Sequence, residues 1–538
     1  MKRLSICLSI LLVVIALLLN ACSGGTTTPS ASTPIQTTPA ATATTSLPST
    51  TTAAPTSQPK YGGILRYIYP YELASIPGWP NDRANAQRSL AAFTIFEPLI
   101  KLEADGTPKP WLATSWEWGP NNTSITFTLR QNVKFHDGTT FTAEAVKLEA
   151  DQVMGTKESN SVNWDRWEIL DDYHIRLYLK KYENNFWTTI AGINMMFFSP
   201  TAYKQHGIDW MKEHPIGTGP FKYDSFEKGV HLKMVKNPDY WQQGKPYLDG
   251  INILFVKERL TQLSAMQAGE AEIVGFVDGK DLADMKNKGF NVIARMDGTG
   301  FIMFDTMNAG SIFKDARIRQ AIEYAIDKQA IVDAMGYGYM AVNNQMTPPG
   351  YASYNANLPS REHNPEKAKQ LLAEAGYPQG FKTRIITMGR SQPKALAVQE
   401  FLKAVNIDTE IELVDNAKFW DYMMKGWENA MIVTDYAVDI NFPAWLRAYF
   451  PPTAVIDVSV KLPDEVINKI DPALAEPDPV KAKQLSDELI RLIWEDCSYV
   501  PIHSNAMGYI LSTKVRDSGI YKHYSFWTWD PESTWLDK

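Results

Sequence analysis

Residues 23–59 constrain the fold most, because this stretch cannot contribute to a hydrophobic core. It consists almost entirely of Thr, Ser, Ala and Pro, and it contains no charged residue and hardly any large apolar one. This composition is typical of a disordered tether. We therefore expect the globular body to begin near Lys60. The chain is 44% hydrophobic, which is enough to build two or three lobes from the remaining residues.

The segment before the tether is typical of an export signal. Two basic residues precede an apolar run over residues 6–19, which is short for a membrane span but suits the core of a signal peptide. The run ends in Leu-Asn-Ala-Cys at Cys22, which resembles the lipobox of bacterial lipoproteins, although Asn20 replaces the usual small residue. The resemblance implies a signal peptide over residues 1–21 and a lipid anchor on Cys22. An ordinary signal peptide with an incidental cysteine is the alternative.

Charge and cysteine content narrow the function classes. Removal of the signal peptide takes away Lys2 and Arg3 and changes the formal net charge from −7 to −9. A mildly acidic body disfavours nucleic acid as a partner. Cys7 leaves with the signal peptide and Cys22 is the lipidation candidate, so only Cys497 remains in the body. No disulfide within the chain is expected.

The body shows the periodicities of a mixed α/β fold. Alternating apolar and polar residues predict half-buried strands over residues 125–130 and 174–180. Apolar residues at helical spacing predict a helix over residues 315–335, capped by its first residue. Two further helices are expected to begin at Asn364-Pro365 and at Asp478-Pro479. These patterns leave open whether the protein is a receptor or a hydrolase.

A series of short blocks, spread over nearly the whole body, carries the most specific signal. The blocks are Ile-Phe-Glu-Pro-Leu at 95–99, Asp-Gly-Thr-Pro-Lys-Pro-Trp-Leu-Ala-Thr-Ser-Trp at 105–116, Leu-Arg-Gln-Asn-Val-Lys-Phe-His-Asp-Gly at 129–138, Gly-Thr-Gly-Pro-Phe at 217–221, Asn-Pro-Asp-Tyr-Trp at 237–241 with Pro-Tyr-Leu-Asp at 246–249, Phe-Lys-Asp-Ala-Arg-Ile-Arg-Gln-Ala at 313–321, and Asn-Pro-Glu-Lys-Ala-Lys-Gln-Leu-Leu-Ala-Glu-Ala-Gly-Tyr at 364–377. In order and spacing they resemble the extracellular solute-binding proteins that include the oligopeptide, dipeptide and nickel receptors of ABC importers.

Most positions in these blocks suit scaffold roles. Asp137-Gly138 suits a tight turn, and Arg317 and Arg319 can bridge a helix to its neighbours. His136 is expected to be a packed or turn-stabilising residue rather than a metal ligand. The blocks therefore identify the fold and not the ligand.

The resemblance implies an α/β, two-lobed periplasmic-binding-protein fold (type II, cluster C) with an extra subdomain on lobe one. Placement within the family assigns the segments as follows: signal peptide 1–21; lipidated cysteine and tether 22–59; lobe one 60–93, 213–300 and 510–538; extra subdomain 94–212; lobe two 301–509. Two strands would join the lobes, crossing near Gly298-Thr299-Gly300 and Ser504-Asn505. Glycines at the first crossing would permit a backbone rotation during closure.

The resemblance also points to carboxylates in lobe two. In peptide receptors of this family, an aspartate in a Gly-Trp-x-x-Asp-Tyr type segment pairs with the α-amino group of the peptide. Residues 433–439 correspond best and make Asp435 the candidate, with Asp439 as its alternative. Asp305 stands where relatives commonly have asparagine and would favour a cationic ligand. A strand-end or helix-capping role is the alternative for Asp435, and a turn role is the alternative for Asp305.

Aromatic side chains are a second source of candidates, since a closed cleft needs apolar walls. The chain has 16 tryptophans, most of which are expected to be packed in the core. We single out Trp79, in the irregular segment after the first strand, and Trp427 and Trp445, which flank the segment of Asp435. Stacking of tryptophan on sugar rings keeps an oligosaccharide receptor as the main alternative to a peptide receptor.

Enzyme and metal functions receive little support from the sequence. No nucleophile elbow, His-Glu-x-x-His motif, phosphate loop or Cys-x-x-Cys pair is present. The histidines are scattered, with only His206 and His214 loosely near one another. A receptor for nickel or a metal chelate, and a secreted glycosidase, are therefore the less favoured alternatives.

Together these observations predict a non-enzymatic substrate-binding lipoprotein of an ABC importer. It would capture di- to oligopeptides in the interlobe cleft and deliver them to permease subunits in the membrane. It is expected to act as a monomer without a cofactor, either on the outer face of the cytoplasmic membrane or in the periplasm.

Overall fold

The structure is a computed structural model that describes residues 58–80, 89–154, 160–450, 452, 456–523 and 529–537. The predicted signal peptide, the lipidation candidate Cys22 and nearly all of the tether lie outside these residues. Among the helices that are described, none combines the length and the apolar composition required to cross a membrane.

The described residues form a mixed α/β body, as predicted. Its strands are β1 (Ile64–Tyr69), β2 (Ile100–Leu102), β3 (Pro108–Pro110), β4 (Ala113–Trp118), β5 (Ser124–Leu129), β6 (Trp164–Asp171), β7 (His174–Leu179), β8 (Phe221–Glu227), β9 (His231–Lys236), β10 (Gly250–Phe255), β11 (Ile273–Val277), β12 (Asn291–Phe304), β13 (Met340–Val342), β14 (Phe381–Met388), β15 (Ile407–Val414), β16 (Ala430–Ala437), β17 (Tyr499–Leu511), β18 (Val515–Arg516) and β19 (Trp535–Leu536). Its helices are α1 (Ser89–Ile95), α2 (Ala143–Met154), α3 (Phe186–Ile190), α4 (Pro200–Glu213), α5 (Arg259–Gln267), α6 (Gly279–Asn287), α7 (Ala316–Ala325), α8 (Lys328–Met335), α9 (Pro365–Glu374), α10 (Gln392–Lys403), α11 (Asn416–Lys425), α12 (Phe442–Tyr449), α13 (Asp464–Ala475) and α14 (Pro479–Asp496).

The prediction of a single helix over residues 315–335 is wrong in one respect, because this segment forms two helices, α7 and α8. Ile326 is extended, and the carboxylate of Asp327 accepts a hydrogen bond from the backbone N–H of Ala330, which starts α8. An aspartate in this position competes with the helical backbone for hydrogen bonds and favours a new N-terminus. The predicted caps are confirmed at Asp315, Asn364 and Asp478.

The largest sheet has eleven strands in the order β15-β14-β16-β12-β17-β11-β1-β10-β9-β8, with β13 paired to β17. The long strands β12 and β17 run antiparallel from Asn291↔Leu511 to Met303↔Tyr499. β12 also pairs with β16 from Gly298 onward, whereas β17 pairs with β11 near Leu511. We call β14–β16 the β16 side and β1 with β8–β11 the β1 side. The two strands β12 and β17 thus connect the β16 side to the β1 side. The exact boundaries of the lobes stay a prediction.

A separate four-stranded antiparallel sheet, β4-β5-β7-β6, contains both strands predicted from alternation. Its inward residues include Ile125, Phe127, Ile175 and Leu177, which are fully buried in one hydrophobic core. The alternation therefore arises because one face of this sheet is packed and the other meets solvent.

The blocks that identify the fold meet at the buried carboxylate of Glu97. Trp111 Nε1, Thr218 Oγ1 and Tyr240 OH each donate to it at 2.8 Å, and Trp241 Nε1 donates at 3.1 Å. Burial raises the pKa of Glu97, while Lys101 and these donors oppose the rise. Four blocks distant in sequence thus share one hydrogen-bonded centre, which is a structural role.

His136 belongs to the same scaffold. Its ring Nε2 lies 3.0 Å from the carbonyl oxygen of Gly219, and Lys222 Nζ donates to its backbone carbonyl at 3.2 Å. Burial lowers the pKa of His136 to about 4, so the ring is neutral at neutral pH. These contacts agree with the expectation of a packed histidine.

Candidate ligand-binding site

Asp435 lies near the end of β16, opposite Gly300 of β12 in the sheet. Its carboxylate is already engaged within the protein. Lys394 Nζ, on α10, lies 2.6 Å from Oδ1, and Ser391 Oγ donates to Oδ2 at 2.8 Å. The Asp435 side chain is 26% exposed, so it is not fully enclosed.

The charges around this pair are strongly coupled. Burial alone would raise the pKa of Asp435, but the Lys394 ammonium, the His503 ring and the hydrogen bonds from Lys394 and Ser391 outweigh it and hold the pKa below its usual range. Burial, reinforced by Lys394, lowers the pKa of His503 to about 3. Burial also lowers the pKa of Lys394, and Asp435 opposes this effect. The 2.6 Å contact of Nζ with Oδ1 is that of an ion pair, and it lies beside a neutral imidazole.

Gly300 is required by this cluster. A Cβ at this position would lie 2.5 Å from both His503 Nε2 and Lys394 Nζ, which is inside van der Waals contact. Neither Gly298 nor Gly300 has a positive φ. Close packing against Lys394 and His503 thus explains why a glycine stands at position 300. The expected role of Gly298 and Gly300 in a backbone rotation during lobe closure stays a prediction.

Asp439 lies in the turn between β16 and α12 and differs from Asp435 in its partners. Its Oδ1 accepts a hydrogen bond from the backbone N–H of Asn441 at 2.8 Å. Among the residues that the structure describes, no basic nitrogen lies within 4.0 Å of this carboxylate. Burial raises the pKa of Asp439. Asp439 is therefore a partly buried acceptor that has no cationic partner among the described residues.

The charge of Asp439 affects two tyrosines, Tyr351 and Tyr449. Burial raises the pKa of Tyr351 and of Tyr449, and the Asp439 carboxylate contributes to both increases. Tyr351 OH also donates at 2.9 Å to Oδ1 of Asp297, on β12, which Arg295 Nε contacts at 2.9 Å. The Asp439 turn, the Tyr351 loop and the crossing strand β12 are thus brought to one place, which we take as the candidate ligand-binding site.

The contacts of Asp305 are those of a turn residue, which is the alternative to a ligand-binding role. Its carboxylate accepts hydrogen bonds from the N–H and the side-chain amide of Asn308, at 3.1 and 3.0 Å, and from the N–H of Asn429 at 2.9 Å. The residue is fully buried. These contacts join the end of β12 to the segments at Asn308 and Asn429.

The three selected tryptophans are packed in cores. Trp79 packs against Phe198 in a tilted arrangement, with 4.6 Å between the ring centroids. Trp427 Nε1 donates to the carbonyl oxygen of Ala430, and Trp445 packs against the ring of Tyr449 at 5.3 Å. Trp427 and Trp445 are each only 2% exposed and Trp79 is 7% exposed, so little ring surface is offered to a ligand. Their predicted part in binding has no support from this packing.

An aromatic wall on the β1 side was missed by the sequence reasoning. Tyr69, Tyr71, Phe276, Tyr509 and Tyr521 make successive edge-to-face or tilted contacts with centroids 5.3–5.7 Å apart. The wall lies at the carboxyl ends of β1 and β11, where open α/β sheets bind their ligands. Tyr71 is 39% exposed and presents the most accessible ring. The sequence signal for this wall is the presence of aromatic residues, such as Tyr71, directly after the first predicted strand.

His206 and His214 do not converge on a common point. They stack on opposite faces of Trp210, with ring centroids 4.2 and 3.9 Å from it. In the part of the chain that the structure describes, no three metal-ligating side chains are grouped closely enough to hold an ion. The geometry thus gives these histidines a stacking role.

Comparisons with known proteins agree with this architecture. The family model for bacterial extracellular solute-binding proteins, family 5, matches residues 107–460. The glutathione-binding protein GsiB of Salmonella paratyphi A is 28% identical over 448 residues, which cover 79% of this chain and 86% of that protein.

Solved structures show the same fold. NikA from Brucella suis in complex with Fe(III)-EDTA superposes with a TM-score of 0.79 and 23% identity, covering 88% of this chain and 100% of that one. DppA from Helicobacter pylori in complex with the peptide STSA has a TM-score of 0.73 and 23% identity, covering 89% and 99%. The predicted two-lobed periplasmic-binding-protein fold is confirmed, and the chain belongs to family 5 of the bacterial extracellular solute-binding proteins, which serve ABC importers.

Proposed function

We propose that this protein captures small peptides with a free α-amino group between its lobes and delivers them to an ABC permease, without catalysing a reaction. The observation that carries the proposal is the contrast between two aspartates at the end of β16. Asp435 is paired with Lys394 at 2.6 Å, whereas Asp439 has one backbone donor and no basic partner among the described residues. We therefore place the main amine acceptor at Asp439, and Asp435 stays a second prediction.

The energetics favour this placement. An ammonium group that donates to an ionised, partly buried carboxylate forms a charge-assisted hydrogen bond, which contributes roughly 1.5–3 kcal/mol. At Asp435 the ligand would add a second cation to a carboxylate that Lys394 already neutralises. At Asp439 the ligand would supply the first cation, so the electrostatic gain is larger.

The relatives support a peptide as the ligand class. The curated relative at 28% identity is named for binding glutathione, which is a tripeptide with a free amino group. The neighbouring structure of DppA contains the peptide STSA. The aromatic wall would supply the apolar surface on which peptide side chains pack when the lobes close.

Ligand binding would act as a population shift between open and closed forms. A ligand favours closure only by its greater affinity for the closed form. Contacts made from both lobes, such as Asp439 on predicted lobe two and Tyr71 on predicted lobe one, have this property. A diacylated Cys22 and the tether would hold the receptor near its permease, as a monomer on the outer face of the cytoplasmic membrane, since two acyl chains anchor durably.

The first test is native mass spectrometry of the protein from Lys60 onward, purified without denaturation. Trapped masses that fit short peptides are the expected result. Mass increments of hexose units would instead move the assignment to oligosaccharides, the alternative kept from the sequence.

The second test measures the amine site by calorimetry with tri-alanine and its N-acetylated analogue. Asp439→Asn is expected to weaken binding of tri-alanine by tenfold or more and to leave the acetylated peptide nearly unchanged. Asp435→Asn should have a smaller effect, and Asp408→Asn, an exposed carboxylate on β15, none. Equal losses for both peptides in Asp439→Asn would remove the amine assignment, and a larger selective loss in Asp435→Asn would return it to Asp435.

A further inference from the structure

The segment after β7, which belongs to the predicted extra subdomain of lobe one, contacts predicted lobe two through Asn184. Its backbone N–H donates to the carbonyl oxygen of Leu474 at 2.8 Å. Its side-chain amide donates to the carbonyls of Ala473 and Glu476 at 2.7 and 3.1 Å, and its Oδ1 accepts from Asn441 Nδ2 at 2.8 Å. Asn184, which lies beside the four-stranded sheet, thus hydrogen-bonds through both its side-chain amide and its side-chain oxygen. Its partners are the C-terminal end of α13 and Asn441, the residue before α12.

The contacted carbonyls lie at the C-terminus of α13. The last carbonyl groups of any helix have no partner within the helix and need capping by other groups. Here three of them, on Ala473, Leu474 and Glu476, are satisfied by Asn184. Separation of the lobes would leave these carbonyls to water.

An ion pair reinforces the same contact. Arg447, on α12, meets Glu183 in a two-pronged geometry, with Nη1–Oε1 at 2.5 Å and Nη2–Oε2 at 2.7 Å. The Glu183 side chain is 6% exposed and that of Arg447 is 24% exposed. Paired N–H donors in a planar fork fix direction as well as distance, so this pair is specific for one relative position of the two elements.

Asn441 joins this contact to the candidate ligand-binding site. Its side-chain oxygen caps α12 by accepting from the N–H of Ala444, and its backbone N–H donates to Asp439. The residue that meets Asn184 is therefore two positions from the proposed amine acceptor.

We propose that residues 183–184 form an interlobe latch. When the lobes close, Asn184 binds the C-terminus of α13 and Glu183 binds the guanidinium group of Arg447. The latch goes beyond the proposed ligand class and does not depend on it, because its contacts are made between parts of this chain. It would slow opening of the closed form and so prolong retention of any ligand.

The latch is tested by hydrogen–deuterium exchange on the ligand-free protein from Lys60 onward. The amide of Asn184 is itself a reporter, since its only described acceptor, Leu474 O, lies across the interface. Arg447→Met is expected to accelerate exchange of this amide tenfold or more, and Glu183→Gln should act in the same direction from the other side of the pair. Arg384→Met, which breaks the Arg384–Glu412 pair within the β16 side, is the matched control and should leave this amide unchanged.

Two results would overturn the latch. One is an Asn184 amide that exchanges in the unsubstituted protein as fast as an unprotected amide. The other is unchanged protection in folded Glu183→Gln or Arg447→Met protein, with folding verified by thermal unfolding. No ligand is added, so failure of the peptide assignment would leave this test intact, and failure of the latch would leave the peptide assignment intact.

Discussion

Lys394 and Asp435 form an ion pair in which the cation is the more deeply buried partner. Nζ lies 2.6 Å from Oδ1, with the lysine side chain 3% exposed and the aspartate side chain 26% exposed. A ligand that approaches the end of β16 therefore meets the Asp435 carboxylate, whose negative charge is already offset by the buried ammonium group of Lys394. The electrostatic pull on a ligand ammonium is weaker here than at Asp439.

Lys394→Met is expected to change stability and binding in opposite directions. Removal of one partner from a fully buried pair costs about 3–5 kcal/mol, and the partial exposure of Asp435 reduces this to about 2–3 kcal/mol. Affinity for a free-amine peptide should rise, by about tenfold, because Asp435 then becomes a second acceptor, beside Asp439, for which the ligand ammonium can supply the cation. Urea unfolding and calorimetry with tri-alanine measure the two effects.

The control for this prediction is Lys328→Met. Lys328 Nζ lies 2.8 Å from Glu323 Oε1, and Arg361 Nη1 lies 2.6 Å from Oε2 of the same carboxylate. This buried charge cluster shares no residue with the Lys394–Asp435 pair. This variant should lose stability without a gain in affinity. Weaker peptide binding by Lys394→Met would contradict the prediction and would mean that the lysine itself contacts the ligand.

Gly300→Ala is expected to destabilise the protein by about 2 kcal/mol through overpacking. The added methyl would lie 2.5 Å from His503 Nε2 and Lys394 Nζ. The His503 ring is buried and Lys394 can move only by leaving Asp435, so relief is costly. Gly310→Ala, where the added methyl meets no atom within 4 Å, should stay within about 0.5 kcal/mol. Equal unfolding free energies for the two variants, from urea titrations, would contradict this account.

Features carried by local patterns could be predicted from the sequence. Asp315 was identifiable as a cap because a cap needs only the few residues that follow it, and β5 and β7 were identifiable from their alternation. The family blocks predicted the fold because their residues are required together, as the four donors around Glu97 illustrate.

Features that depend on tertiary pairing could not be predicted. Lys394 is 41 positions from Asp435, and no local pattern indicates that sheet register places them together. The burial of Trp427 and Trp445 likewise depends on tertiary packing, which the residue type alone does not indicate. The Asn184 contact joins residues about 290 positions apart.

Asp457 predicts an unusual pH dependence of stability. The residue is fully buried, and Tyr436 OH donates to Oδ1 at 2.9 Å. Oδ2 has no hydrogen-bond partner among the described residues. Burial raises the pKa of Asp457 to about 7, against the opposing effect of the Tyr436 hydrogen bond. The unfolded chain has an aspartate pKa of about 3.9.

The direction of the effect follows from proton binding. Between pH of about 3.9 and 7 the folded protein holds more protons at this site than the unfolded chain, so its contribution to stability falls as pH rises through that window and is constant above it. Asp457→Asn removes this dependence. The difference in unfolding free energy, variant minus unsubstituted protein, should therefore rise by about 2–4 kcal/mol from pH 4 to pH 8, whatever constant offset the buried amide adds.

Urea unfolding at half-unit pH steps measures this difference, since a shift in midpoint at constant slope reports stability alone. Tyr436→Phe supplies the companion variant. It removes the one donor that favours the ionised carboxylate, so its own stability should continue to fall above pH 7, where that of the unsubstituted protein has levelled. A difference curve for Asp457→Asn that is flat from pH 4 to pH 8 would mean that this carboxylate is hydrated or paired in solution.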